Sequence, residues 1–304
     1  MDGKPIVVAY DGSEQSDMAL RWALDEGVRR ASPVAIAHVL TPDLSLLTLH
    51  HRARLSRVDE ETKSAVERIA NEAYDWGRLG IEVTGAVLDG PVAHVLCEQS
   101  RRASMVVMGA RGAGGFAGLR TGSVSLKVAA HAHCPVVVVR ENVRVSDRRP
   151  VAVGVDDSAE GRLAVGLAFE EAALRGVALV AVRGWGPPPL RWHADELPAP
   201  INEARATSEQ QLVDDLVASW RQRYPNVNVM TRLACVTAGH ALTVASREAQ
   251  FMVIGSRGTG GIVDLALGSV SQQLLHHSLC SLMIVRGLVD TATPVVPAAS
   301  LNTC

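Results

Sequence analysis

Two glycine-rich spacings in the chain suit close contact with an anion. They are Gly109-x2-Gly112-x9-Gly122-Ser123-Val124 and Gly255-x2-Gly258-x9-Gly268-Ser269-Val270, the second repeating the first 146 positions later. Each follows a short apolar run, 105–108 or 251–254, and leads into a segment able to form a helix. Glycines let a backbone come close to a ligand. The first N–H groups of a helix lack an intrahelical acceptor and can point at a phosphate. The chemistry expected is phosphate binding, and nucleotide binding with it, twice in one chain.

Each copy also opens with a short apolar strand that ends in acid: Val7-Val8-Ala9-Tyr10-Asp11-Gly12-Ser13 and Val153-Gly154-Val155-Asp156-Asp157-Ser158. In an open parallel sheet, ligands sit beyond the carboxyl ends of strands, where the winding reverses. Asp11 and Asp156 at such ends suit ribose or adenine polar groups, or a Mg²⁺ that travels with phosphates. The same carboxylates also suit an N-cap or an Asx turn. Ser13 and Ser158 are the better caps, which leaves the aspartates for ligand. Arg111 and Arg257 lie inside the glycine loops, where a guanidinium either grips a phosphate in two places or stays solvated. The first loop carries Arg120, whereas the second has Asp264 and Ala266. A carboxylate repels a triphosphate unless a metal intervenes, so the second site is expected to be weaker or more metal-dependent.

Other motifs point elsewhere less well. No Gly-Lys-Ser/Thr follows the loops, so they are not Walker motifs. A partial dinucleotide fingerprint, Gly112-x-Gly114-x-x-Ala117, is broken in the second copy at Val263. His131, His133, His276 and His277 fall at the carboxyl ends of equivalent helices, where the helix dipole favours them. His38 on the second strand has Ala181 as its expected counterpart. Five cysteines show no C-x-x-C spacing, and Cys134 and Cys280 stand at equivalent places as small buried hydrophobes. Trp185-Gly186-Pro187-Pro188-Pro189 with Trp192 reads as a stiff surface loop.

The elements that position these residues follow from periodicity. At 304 residues the chain has room for two domains, and a period near 146 marks a duplicated domain rather than a solenoid. In the first copy, strands are expected over 6–10, 34–40, 81–88, 105–108 and 136–139. Helices are expected over 16–31, 56–79, 92–101 and 122–131, the first with Ala19, Leu20, Ala23, Leu24 and Val28 as its apolar stripe. The second copy repeats the order, with strands at 151–155, 177–182, 227–234, 251–254 and 282–285. Its helices fall at 159–175, 203–223, 240–249 and 268–278. Alternating β and α with continuously apolar strands means an α/β fold, with parallel sheets covered by helices on both faces. The expected division is 1–144, 149–287, and a mobile tail over 288–304.

Apolar residues make up 47% of the chain and aromatics 4%, so two aliphatic cores are expected. A formal net charge of −2 gives no electrostatic case for nucleic acid or an anionic membrane. No apolar run reaches the ~20 residues of a membrane span, and nothing at the amino end resembles a signal peptide. A cytoplasmic location is expected.

With aspartate, glycine loop and helix start assembled, the chain resembles a tandem universal stress protein. That family's adenine-nucleotide motif, Gly-x2-Gly-x9-Gly-Ser/Thr, is matched in full by both copies, and the likeness continues through Ser125, His131, Cys134 and Pro135. The resemblance implies two open parallel five-stranded sheets of order 3-2-1-4-5, with ATP across the gap between the first and fourth strands. It implies that Gly109, Ala110, Arg111, Gly112, Gly115, Arg120, Gly122, Ser123 and Val124 line the phosphate end. Ala9, Asp11 and Val39 would then face the adenosine. In the second copy the implied counterparts are Gly255, Ser256, Arg257, Gly258, Gly261, Gly268, Ser269 and Val270, with Gly154, Asp156 and Val182. Two ATP per chain are implied, with Mg²⁺ held by Asp11 and Asp156 where it accompanies them.

Three function classes remain open. One is an ATP-dependent regulator of stress, dormancy or growth, acting on a partner protein that the sequence does not name. Another is a slow Mg-dependent ATP hydrolase, for which no general base is evident near the loops. The last is a structural pseudo-dimer with empty loops. The resemblance implies association of the two copies through 136–139 and 282–285, whose apolar edges want cover, and a further homodimer is expected with it.

Overall fold

The computed structural model describes residues 3–41, 68, 80–112, 121–140, 148–186, 199–259 and 266–287. The first copy runs β1 (Ile6–Ala9), α1 (Glu14–Arg30), β2 (Val34–Leu40), β3 (Val83–Asp89), α2 (Val92–Gln99), β4 (Met105–Gly109), α3 (Ser123–His131) and β5 (Val136–Val139). The second runs β6 (Val151–Gly154), α4 (Ala159–Arg175), β7 (Leu179–Gly184), α5 (Ala199–Arg223), β8 (Val229–Ala234), α6 (Ala238–Ala245), β9 (Phe251–Gly255), α7 (Ser269–His277) and β10 (Ser281–Val285). The helix expected over 56–79 lies outside the described residues apart from Arg68, and so does the tail over 288–304.

Each half has the order 3-2-1-4-5 with every pair parallel, as the alternation of strand and helix requires. The halves are not separate sheets, however. They fuse into one ten-stranded sheet, β3-β2-β1-β4-β5-β10-β9-β6-β7-β8, through an antiparallel β5–β10 pair. Val138 faces Leu282 there, Val137 faces Met283 and Val136 faces Ile284, all buried. These strands carry apolar side chains on both faces, so pairing them edge to edge removes two apolar edges from water.

One helix layer, α1, α4 and α5, closes a core containing Ile6, Leu20, Trp22, Phe169 and Phe251. The opposite layer, α2, α3, α6 and α7, closes a core containing Leu96, Val106, Leu274 and Leu282. Helix α1 buries Ala19, Leu20, Ala23 and Leu24 as expected, but Val28 is exposed. Both α1 and α4 end on a left-handed residue: Gly176 with φ 62° in α4, but Ala31 with φ 48° in α1.

Between α1 and α4 lies a buried ring of charge. Arg30 bonds Glu26 at 2.5 Å and reaches across the copies to Glu171 at 2.5 Å and Glu170 at 2.6 Å. Arg175 answers with Glu171 in its own helix and with Glu26 at 2.8 Å. Glu26 and Glu171 are fully buried. Burial opposes ionisation of Glu26, but the Arg175 and Arg30 guanidiniums outweigh it and hold its carboxyl below the usual value. Burial, joined by the neighbouring Glu26 carboxylate, pushes Glu171 the other way despite Arg175 and Arg30. Trp22 lies 5.4 Å from Phe251, and the Arg175 guanidinium sits 4.9 Å from the Phe251 ring centre, closing the ring with aromatic faces.

Candidate functional site

The site lies at the carboxyl ends of β1 and β4, and again at those of β6 and β9. Asp11 follows β1 and folds into an Asx turn: its Oδ1 accepts from the Ser13 backbone N–H at 3.1 Å and from the Ser13 hydroxyl at 2.6 Å. Ser13 in turn caps α1 by accepting from the Ser16 N–H at 3.2 Å. The second copy repeats this with Asp156, Ser158 and Gly161, at 3.2, 2.6 and 2.9 Å. The serines are therefore the caps, as expected, and each aspartate keeps one oxygen on its serine. The other oxygen faces the loop glycine. A Cβ built on Gly112 would stand 2.5 Å from Asp11 Oδ2, and one on Gly258 would stand 2.5 Å from Asp156 Oδ2.

The glycines divide by the reason for their smallness. Gly109 and Gly255 end β4 and β9 and press on the first turn of α1 and α4. Their would-be Cβ atoms lie 2.8 Å from Gln15 Cβ and 3.0 Å from the Glu160 carbonyl carbon. Helix packing alone accounts for those two. Gly122 differs. Its backbone, φ −79° and ψ 157°, is open to any residue, and among the described residues the nearest atom to its would-be Cβ is 3.6 Å away, an ordinary contact. Gly268 has the same backbone with a tighter 3.3 Å neighbour.

Gly122 and Gly268 are the N-caps of α3 and α7, and neither helix has a side-chain cap. Helices α1, α4 and α6 are capped by Ser13, Ser158 and Thr237. Ser123 and Ser269 begin α3 and α7 and are exposed, with Val124 and Val270 half-buried beside them. The Ala110 and Ser256 carbonyls accept from the Gly122 and Gly268 N–H groups, each at 2.8 Å. The Ser256 hydroxyl is buried, with no hydrogen-bond partner among the described residues.

Two further serines position the helix starts, a role that the glycine motif does not spell out. The buried Ser125 hydroxyl donates to the Gly109 carbonyl at 3.1 Å, and Ser271 donates to the Gly255 carbonyl at 2.9 Å. Each staples its helix start onto the end of the preceding strand. The repeated Gly-Ser-Val-Ser run carries that signal in plain sight. Thr121, just before Gly122, is buried and donates to the Leu275 carbonyl of the other copy.

The cations of the second loop have defined partners. Arg257 pairs with Glu160 at 3.3 Å, in the first turn of α4. Arg286 follows β10 and donates to the Ala266 carbonyl at 3.0 Å. Burial first, and the like charge of Arg257 second, lower its pKa, with Glu160 opposing. Arg111 and Gly112 are the last described residues of the first loop. Gly115, Arg120, Gly261 and Asp264 lie outside the described residues.

Register corrects two counterparts. Ala9 pairs with Ala37 and Gly154 with Val182, so Val182 matches Ala37, and the position of Val39 is held by Gly184. By the same register, His38 corresponds to Arg183 rather than Ala181. Arg183 donates to the Val155 carbonyl at 3.1 Å and to Glu209 at 2.7 Å. Gly154 has a packing reason for its size, because its would-be Cβ lies 3.1 Å from Leu242 and 3.2 Å from Ile254. Trp185 is buried, with the Arg205 guanidinium 5.1 Å from its ring centre, and the prolines after it fall outside the described residues.

Among the described residues no group of three or more His, Cys, Asp or Glu is placed to hold a metal, and no helix is long and apolar enough to cross a membrane.

Comparison with known proteins agrees with the duplication. The model of the universal stress protein family matches twice, over residues 3–140 and 147–286. Universal stress protein Rv1996 of Mycobacterium tuberculosis is 33% identical over 315 residues, covering 95% of this chain and 97% of its own length. Universal stress protein Rv2005c of the same organism is 32% identical over 289 residues, at 92% and 96% coverage. Among solved structures, a universal stress protein from Archaeoglobus fulgidus superposes with a TM-score of 0.71 at 19% identity. It covers 94% of this chain and 100% of its own, a likeness of fold.

Proposed function

The chain belongs to the universal stress protein family, and from that we propose that it is an ATP-binding regulator. Nucleotide occupancy alters the surface it presents to a partner protein in stress, dormancy or growth control. The binding units are 1–144 and 149–287, each with one phosphate cradle.

The observation that carries this reading is the identity of residue 122. A serine or aspartate there would cap α3 with its side chain and gain roughly a few tenths of a kcal/mol over glycine, itself a tolerated N-cap. Glycine leaves the first N–H groups of the helix to another acceptor, and neither backbone conformation nor packing among the described residues calls for it. A polyphosphate that fills the space and accepts those N–H bonds does call for it. Ser123 and Ser269 add hydroxyl donors, and Ser125 and Ser271 hold the helix starts in place. Asp11 and Asp156 border the loop glycines, and in this reading they take polar groups of the adenosine. Where Mg²⁺ accompanies the nucleotide, these are the carboxylates to hold it, since Mg²⁺ binds through one or two carboxylates plus phosphate oxygens.

The test is direct. The purified protein is denatured, released small molecules are identified, and ATP is titrated into the ligand-free protein. Released ATP, and binding lost in the Gly122→Val, Gly268→Val double variant, is the expected result. Absence of any ATP binding by a folded protein refutes the reading, and ADP with phosphate formed in Mg²⁺ points instead to a slow hydrolase.

A further inference from the structure

The two copies differ where a nucleobase would rest, and we infer that a complete nucleotide seats only in the first, while the second offers a phosphate cradle without a place for the base. This rests on the nucleotide-binding reading above and restricts it to one of the two sites.

Strand register fixes the comparison. Beyond the Ala9–Ala37 and Gly154–Val182 pairs, the second strands end with Val39 opposite Leu88 in the first copy and Gly184 opposite Ala234 in the second. The following helices open with Val92-Ala93 and Ala238-Gly239. Four neighbouring positions thus read Val, Leu, Val, Ala in one copy and Gly, Ala, Ala, Gly in the other. In the first copy all four side chains are half-buried, lying on the core that contains Val7, Ala37 and Leu96. They form a partly exposed aliphatic shelf at the carboxyl end of the sheet where Asp11 also lies.

The second copy closes that space with backbone. A Cβ on Gly184 would stand 2.7 Å from Ala238 Cα and 2.9 Å from its nitrogen, so the start of α6 lies directly on the end of β7. A Cβ on Gly186 would stand 2.8 Å from the Val236 nitrogen. Gly239 is buried, and Gln273 of α7 occupies the place of its missing side chain. The Trp185 and Gly186 N–H groups donate to the Ala234 and Val236 carbonyls at 3.1 and 3.0 Å, lacing the two segments together. A flat purine needs an apolar face to lie against. The first copy has one, and the second has spent that volume on helix–strand contact.

Calorimetric titration of the ligand-free full chain with ATP, and separately with inorganic triphosphate, tests the inference. One ATP and two triphosphates per chain are expected, with the ATP equivalent lost in Gly122→Val. Val92→Ala, a change on the partly exposed shelf checked for folding by near-ultraviolet circular dichroism, should weaken ATP about threefold to tenfold and leave triphosphate unchanged. Two ATP equivalents per chain, or loss of the ATP equivalent in Gly268→Val, overturns the inference while leaving the nucleotide-binding reading intact. A folded protein that binds neither ligand overturns both.

Discussion

Arg30→Met isolates the buried charge ring that joins the two copies. Arg30 contacts three carboxylates, and two of them, on Glu26 and Glu171, have no exposure to water. In the native ring those two acids are balanced by Arg30 and Arg175. The variant leaves Arg175 between the two buried carboxylates, with only the partly exposed Arg29, 3.4 Å from Glu26, to help it. Removing one partner of a buried ion pair costs about 3–5 kcal/mol, because the survivor keeps its desolvation cost without its Coulombic return. With a urea slope of about 3 kcal/mol per molar, the unfolding midpoint should fall by about 1–1.7 M. The pH dependence has a definite sign. Burial and Glu26 already raise Glu171 above its ordinary 4.5, against Arg30 and Arg175. Losing Arg30 raises it further, so the folded variant binds a proton more readily than the unfolded chain does. Its stability therefore rises as pH falls from 7 towards 5, and the deficit relative to wild type shrinks. Glu171→Gln in the variant background should recover part of the loss, giving a non-additive double-mutant cycle. Urea unfolding followed by Trp fluorescence at pH 7 and pH 5 reads all of this. A loss under about 1 kcal/mol, strict additivity with Glu171→Gln, or a deficit that grows on acidification refutes the reasoning.

Gly109→Ala should destabilise the fold by about 1–3 kcal/mol, since its methyl meets the Gln15 backbone at 2.9 Å. Gly122→Ala should cost under about 1 kcal/mol yet weaken ATP binding, a contrast read by thermal unfolding beside titration. Ser125→Ala should cost about 1–2 kcal/mol and lower triphosphate affinity, because the α3 start loses its tie to the Gly109 carbonyl. Ala31→Gly should stabilise the protein by about 0.5–1 kcal/mol by relieving a left-handed alanine where the equivalent helix already has Gly176. Burial pushes the Cys134 thiol up to about 12 and the Cys280 thiol up to about 11. Both should therefore resist thiol reagents at pH 8 in the folded protein and react only on unfolding, which peptide mapping after alkylation checks.

Periodicity made the alternation of strand and helix legible, and the same rules identified Ser13 and Ser158 as caps. Strand order came through the resemblance that the glycine spacing carries. The division of the glycines did not come through. Gly109 and Gly122 look alike in sequence, because close approach of a helix and close approach of a ligand both demand a missing Cβ, and only the neighbouring atoms separate them. Val39 and Val182 look equivalent by type, yet hydrogen-bonded register sets them two residues apart. The charge ring was hidden for a different reason. Glu26 with Arg30, and Glu171 with Arg175, read as ordinary i,i+4 pairs of solvated helix faces. Their burial follows from the approach of α1 to α4, a contact between the two halves that neither repeat contains by itself. The join at β5 and β10 came with the resemblance and fits their apolar composition, but its antiparallel sense follows from placing two like strands edge to edge.

That join fixes an arithmetic. Because both partners of the central strand pair belong to one polypeptide, their encounter is intramolecular and does not weaken on dilution. A protein assembled from two separate single-repeat chains would drift towards monomers when scarce and could exchange halves with any relative present. Here the ratio of the two unlike halves is set at synthesis, and it holds from the first copy made to the last.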